Sequence, residues 1–110
     1  MLNFKGLKIF SDTINTERGD KMLNQFTGIG KVERKEYYYN DIENCHIVLF
    51  TINLCSNETK EEYQFYGKTI CMSMKESNKT DKVKENDIVA FNGSYIDDSD
   101  TLFLKNIKAV

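Results

Sequence analysis

The chain has 110 residues, of which 40% are apolar and 29% charged, with a formal net charge of −2 and no proline. That length builds one ordinary domain with a single modest core and not two. The missing proline argues against a linker-rich disordered chain, and the slight acidic balance withholds the basic surplus that a general binder of nucleic acid often carries. The acids gather at Glu58, Glu61 and Glu62 and again at Asp97, Asp98 and Asp100. Both groups read as loops, which leaves room for a basic face elsewhere. Cys45, Cys55 and Cys71 form an odd set without a regular framework, the usage of reduced thiols in a cytosol. The longest apolar stretch, Ile47 to Phe50, is far short of a membrane span, and Met1 to Phe10 has no long apolar run and no small-residue cleavage site. The expectation is a soluble cytoplasmic protein with no membrane partner.

In chain order, residues 1–21 differ from the rest: an apolar alternation at Leu7, Ile9 and Phe10 is followed by a polar stretch. They read as an N-terminal arm that adds a strand or packs on a partner, with the domain proper at 22–110. From Met22 the pattern has period two. Phe26, Gly28, Gly30 and Val32 share a face, and two glycines inside a strand fit one that must coil sharply, as a small closed barrel requires. This strand runs on through Lys35 to Tyr37, Tyr38 and Tyr39, and Asn40-Asp41 supplies turn chemistry. A second strand over 45–54 is dense in β-branched and aromatic residues, and Ser56, Asn57 and Glu58 break it. A third spans about 61–66 and ends at Gly67. Over 68–81, Ile70, Met72 and Met74 alternate as in a strand, whereas Ser73, Lys75 and Glu76 also permit a short helix; a strand end followed by one helical turn is expected. Lys84 to Asp87 form a turn, with Asn86 suited to positive φ. The fourth strand covers 88–95, a hairpin loop 97–100, and the fifth 102–110, bulged near Lys105 and Asn106. Five strands in about 90 residues, punctuated by turns, make a small barrel or sandwich.

The order of segments resembles the bacterial and phage single-stranded-DNA-binding proteins. Asn24-Gln25-Phe26-Thr27-Gly28-Ile29-Gly30-Lys31-Val32 looks like their first strand, and Phe50-Thr51-Ile52 like their second. Tyr66-Gly67-Lys68 is similar to their Phe-Gly-Lys step, Lys84 to Gly93 to their turn and fourth strand, and Asn106 to Val110 to the closing strand. The resemblance covers residues 22–110. It implies an all-β, five-stranded OB-fold barrel with a short helix or turn between strands three and four, here preceded by an N-terminal extension. It also implies binding of single-stranded DNA in replication, recombination or transfer, a homo-oligomer (dimer or tetramer), and contact with replication proteins. The departures are the missing tryptophan, Asn86 in place of a turn glycine, and an end at Val110 without a glycine-rich linker or acidic tip. Divergent relatives of this kind are found on phages and mobile elements.

Holding a single strand without sequence preference takes aromatic faces for the bases and a line of cations for the backbone. Tyr66 alone falls on a stacking position implied by the resemblance, and it points outward if Phe65 is core. Tyr37, Tyr38 and Tyr39 cannot all face inward. Tyr95 could stack or cap the barrel, and Phe103 alternates against Leu102 and Leu104. For phosphates the candidates are Lys31, Arg34, Lys35, Lys68 and Lys105. Lys75, Lys79, Lys82 and Lys84 are diluted by Glu76, Asp81 and Glu85 and read as a hydrated loop. DNA and RNA are not separable on these physical grounds. An enzyme is not indicated: His46, the single histidine, sits in an apolar strand, and no nucleophile elbow, phosphate loop or paired carboxylates occur. Cys45, His46, Cys55 and Cys71 lack the close Cys-x-x-Cys pair of a zinc site, so neither metal nor cofactor is expected. The rival reading is an OB-fold protein-interaction subunit of a replication or conjugation assembly, with the arm as docking element. A cold-shock-like RNA binder would need aromatic-glycine motifs that are absent.

Overall fold

The computed structural model describes residues 6–56, 62–96 and 101–110. The expected break at Asn57 and Glu58, the acids Glu58 and Glu61, and the acidic 97–100 loop lie outside the described residues. In the described residues six strands follow one another with a single helical turn between the fourth and fifth: β1 Leu7–Thr16, β2 Gly19–Asn40, β3 Cys45–Ser56, β4 Gln64–Lys75, α1 Asn78–Asp81, β5 Ile88–Ile96 and β6 Phe103–Ala109. They form one sheet in the order β1-β2-β3-β4-β6-β5, and β5 returns to pair with β2. Strands β2 to β6 thus close a five-stranded barrel of OB topology, antiparallel except for the parallel contact of β4 with β6. No described helix is long and apolar enough to cross a membrane.

β2 does the work of two strands. Its first half lies between β1 and β5, and its second half pairs with β3 alone from Arg34 onward. At the crossover the strand must coil within a crowded space, and glycine makes this feasible: a Cβ on Gly30 would stand 2.3 Å from Ile52 Cγ2 and 2.7 Å from the Asn53 carbonyl oxygen. Residues 7–16 of the expected arm form β1, hydrogen-bonded along β2, and β2 itself begins at Gly19, inside that arm. Ile9 and Leu7 pack against the core, and the Ser11 hydroxyl donates to the buried Asn24 amide oxygen, so the hairpin is sewn to the barrel wall.

The period-two pattern translates directly into burial. Phe26 and Val32 on β2, Val48, Phe50, Ile52 and Leu54 on β3, Met72 on β4 and Val89 on β5 are all fully buried. Each contributes on the order of 1.5–3 kcal/mol of transfer free energy. Leu102, Leu104 and Ile107 complete the core from β6, the last after a bulge in which Lys105 is the extra residue between Asn92↔Asn106 and Gly93↔Leu104. The turn before β5 is built as its residues suggest. Asn86 takes φ 75°, its N–H donates to the Val32 carbonyl at 2.7 Å, and the Asp87 carboxylate accepts from Lys84 N–H at 2.9 Å.

β4 joins the expected third strand to the strand end read from Ile70, Met72 and Met74. It does not end at Gly67 but continues to Lys75. Gly67 adopts φ 72°, and around it one β3 residue, Leu54, spans three β4 residues between the pairs Asn53↔Thr69 and Cys55↔Phe65. The irregularity ends regular pairing without ending the strand, and Ile70 and Met72 then alternate into the core. The helical turn follows, held by a capping box: Thr80 Oγ1 accepts from Ser77 N–H at 2.9 Å and Ser77 Oγ accepts from Lys79 N–H at 3.2 Å.

Candidate functional site

Among the grooves that the described residues form in the barrel surface, two are of similar size, about 650 and 720 Å³. The first runs between the start of β1 and the barrel, with Leu7, Gly28, Tyr66 and Phe91 in its walls and Lys8 as its one cation. The second lies where the β2–β3 turn approaches the start of β6. Tyr38, Ile47 and Phe103 supply its apolar surface, Lys75 and Lys79 its positive charge, and Glu43 its negative charge.

The strand register explains why the second groove is open and aromatic. Outward-facing residues line up in rows across the sheet: Tyr38–Ile47–Lys75, then Glu36–Leu49–Ser73–Phe103, then Arg34–Thr51–Cys71. Phe103 is 54% exposed while its neighbours Leu102 and Leu104 are buried, the alternation read from the sequence. Tyr37, Tyr38 and Tyr39 are each about half exposed, because this end of β2 has a partner on one side only. Tyr38 alone of the three borders the groove. The Tyr37 ring lies under the Lys35 ammonium, 5.2 Å from its centroid. The Tyr39 ring meets His46 edge-on at 5.2 Å and its hydroxyl donates to the Asn44 side chain. His46 is accordingly an exposed residue at the start of β3, not an embedded one.

Tyr66 and Tyr95 both lie inward: for Tyr66 this corrects the outward stacking position, and for Tyr95 it leaves the packing alternative. The β4 irregularity adds two residues and so keeps the alternation: Phe65 is 44% exposed, while Tyr66 shares the inward face of Ile70 and Met72 and lies on the core. Its ring lies directly beneath Gly6, where an added Cβ would come within 2.8 Å of it. Tyr95 shares the inward face of β5 with Val89 and Phe91, is 4% exposed, and packs on Phe26 at 6.3 Å; its ring is not available to a ligand.

The five expected cations do not converge. Lys35 is committed inside the fold: its ammonium donates to the carbonyls of Thr80 and Val83, both at 2.8 Å, and pins the helical turn to β2. Arg34 is exposed on the outer face, 3.8 Å from Glu36. Lys31 is half-buried in the row Lys31–Asn53–Thr69, six β3 residues from the Tyr38 row, roughly 20 Å along the strand. Lys68 is exposed beside that distant row, and Lys105 is exposed on the β6 bulge. The cations at the aromatic groove are instead Lys75 and Lys79, which the sequence reading set aside as a hydrated loop. Lys75 lies 3.7 Å from Glu43, and Lys79 donates to the Asn106 amide oxygen. The alternation of Ile70, Met72 and Met74 into Lys75 was the available signal that this lysine ends a strand.

The three cysteines lie apart along β3 and β4: Cys45 half-buried, Cys55 buried and Cys71 exposed with the Thr51 hydroxyl 3.6 Å away. Burial raises the Cys55 thiol above its ordinary pKa. Among the described residues no three His, Cys, Asp or Glu side chains come together as a metal-ligand group. Comparison with protein-family models, with curated proteins and with solved structures yields no match in any of the three.

Proposed function

We propose that the chain binds single-stranded nucleic acid, DNA in the first instance, with little sequence preference, along the outer face of β2, β3 and β4 and in the groove between Tyr38 and Phe103. One observation carries the reading: two exposed rings, from β2 and from β6, flank a groove that also carries Lys75 and Lys79. Barrels of this topology hold extended ligands on the face of their second and third strands, here β3 and β4. Base–aromatic stacking contributes about 1–3 kcal/mol per base, so two rings outweigh any single polar contact in the groove. Arg34, Lys31 and Lys68 then extend the cation track along the barrel. The process served is one that exposes single strands, such as replication, recombination or DNA transfer.

Titration of a fluorescent oligo-dT at low and high salt tests the reading. Binding that weakens steeply with salt is expected, because neutralised phosphates release counterions. No signal at micromolar protein and low salt sinks it. The second reading, a protein-interaction subunit that does not bind nucleic acid alone, draws on Glu36 and Glu43 beside the groove and on the net negative charge. The same titration separates the two.

A further inference from the structure

Among the described residues the outer edge of β1 has no strand beside it: β1 stands at one end of the sheet order and pairs with β2 alone. A ten-residue edge is a template for another strand unless something blocks it. On its outward face it carries Lys8, Phe10 and Asp12, opposite Thr27, Gln25 and Leu23 of β2. All three are exposed, and Phe10, at 69%, is the most exposed aromatic ring among the described residues.

We propose that two copies of this chain associate by antiparallel pairing of their β1 edges about a two-fold axis at Phe10. In that register Phe10 faces Phe10 of the second copy, Lys8 faces Asp12 of the second copy, and Asp12 faces its Lys8. From Lys8 to Asp12 every pair on that face is complementary, as an isologous interface requires. Neighbouring registers fail. An axis at Ile9 sets Lys8 against the Phe10 ring, and one at Ser11 sets Asp12 against it. An axis at Lys8 or at Asp12 brings like charges together. The placement of one cation and one anion two residues either side of an exposed ring therefore selects a single pairing, and the partner it fits is the same strand. The association is independent of the nucleic-acid reading, since β1 contributes nothing to the Tyr38–Phe103 groove.

Sedimentation equilibrium of the full chain, across micromolar concentrations, tests this with Lys8→Asp, Asp12→Lys and the double exchange. Each single variant replaces two attractive cross-strand pairs by two repulsive ones and should weaken the dimer by about tenfold or more. The double exchange restores complementarity and should return the dissociation constant to near the parent value. Phe10→Cys should cross-link under mild oxidation through the introduced thiol, since residues at a two-fold antiparallel pair lie within disulfide reach. A parent chain that stays monomeric, an Asp12→Lys chain that dimerises undiminished, a double exchange without recovery, or cross-links that map only to Cys71 would each overturn the proposal.

Discussion

The two grooves are nearly equal in size and both contain aromatic rings, yet they differ in what a ligand would meet. In the β1 groove the rings are part of the wall's own packing. Tyr66 lies on the core beneath Gly6, and Phe91 is buried. In the Tyr38–Phe103 groove the rings stand out from the strands, and two lysines stand with them. An aromatic at a promising place in the chain is thus not yet a binding residue; the register of its strand decides whether its face is spent on the fold or left for a partner.

Substitutions can break or sharpen that contrast. The largest effect is expected from the pair Tyr38→Ala and Phe103→Ala. Each should cost about 1–3 kcal/mol of oligonucleotide affinity and little stability, and anisotropy titrations beside thermal melts would read both. Tyr66→Ala should do the reverse, costing about 2 kcal/mol of stability through a partly buried cavity and leaving the affinity of the folded protein unchanged. If Tyr66→Ala loses affinity with its melting point intact, the assignment of the two grooves is reversed.

The cations divide in the same way. Lys35→Met removes the ammonium from the Thr80 and Val83 carbonyls, leaving Thr80 only the Val83 N–H at 3.2 Å, and should lower stability by about 2 kcal/mol in a denaturant melt, with no change in the salt dependence of binding. Lys75→Ala or Lys79→Ala should leave the melt alone and reduce the slope of log K against log salt by about 0.7 each. The smallest effect concerns the thiols. Cys71 should react with a thiol reagent in the native state and Cys55 only on unfolding. Because burial raises the Cys55 pKa, the folded state holds that proton more tightly than the unfolded one. Its contribution to stability is then present below the ordinary thiol range and lost as pH rises through and beyond it.

The barrel was largely legible in the sequence because its strands alternate cleanly: β3 and β5 follow their apolar pattern, Asn86 turns as its side chain permits, and the β6 bulge falls at Lys105. Phe103 was legible for the same reason. What escaped reading were positions governed by a neighbour rather than by the local pattern. The β4 irregularity at Gly67 depends on how one β3 residue is matched against three; it leaves the alternation intact, so Tyr66 falls on the face of Ile70 and Met72 and Phe65 on the opposite one. Lys35 has an ordinary strand context, and only the helical turn 45 residues further on makes it a fixture of the interior. Tyr95 is legible by parity, since it alternates with Val89 and Phe91 onto the inward face of β5.

The contact that completes the barrel is slight: among the described residues β4 meets β6 at the single pair Ser73↔Phe103, where the Ser73 amide donates to the Leu102 carbonyl at 3.0 Å. Every other seam carries a ladder of several rungs. Spontaneous opening should therefore begin here, and hydrogen exchange at the Ser73 amide should outpace that of its β4 neighbours. Phe103 sits on the one rung that opens, so a molecule gripping its ring from across the groove would act as a clasp, and its grip should be visible as slowed exchange at Ser73.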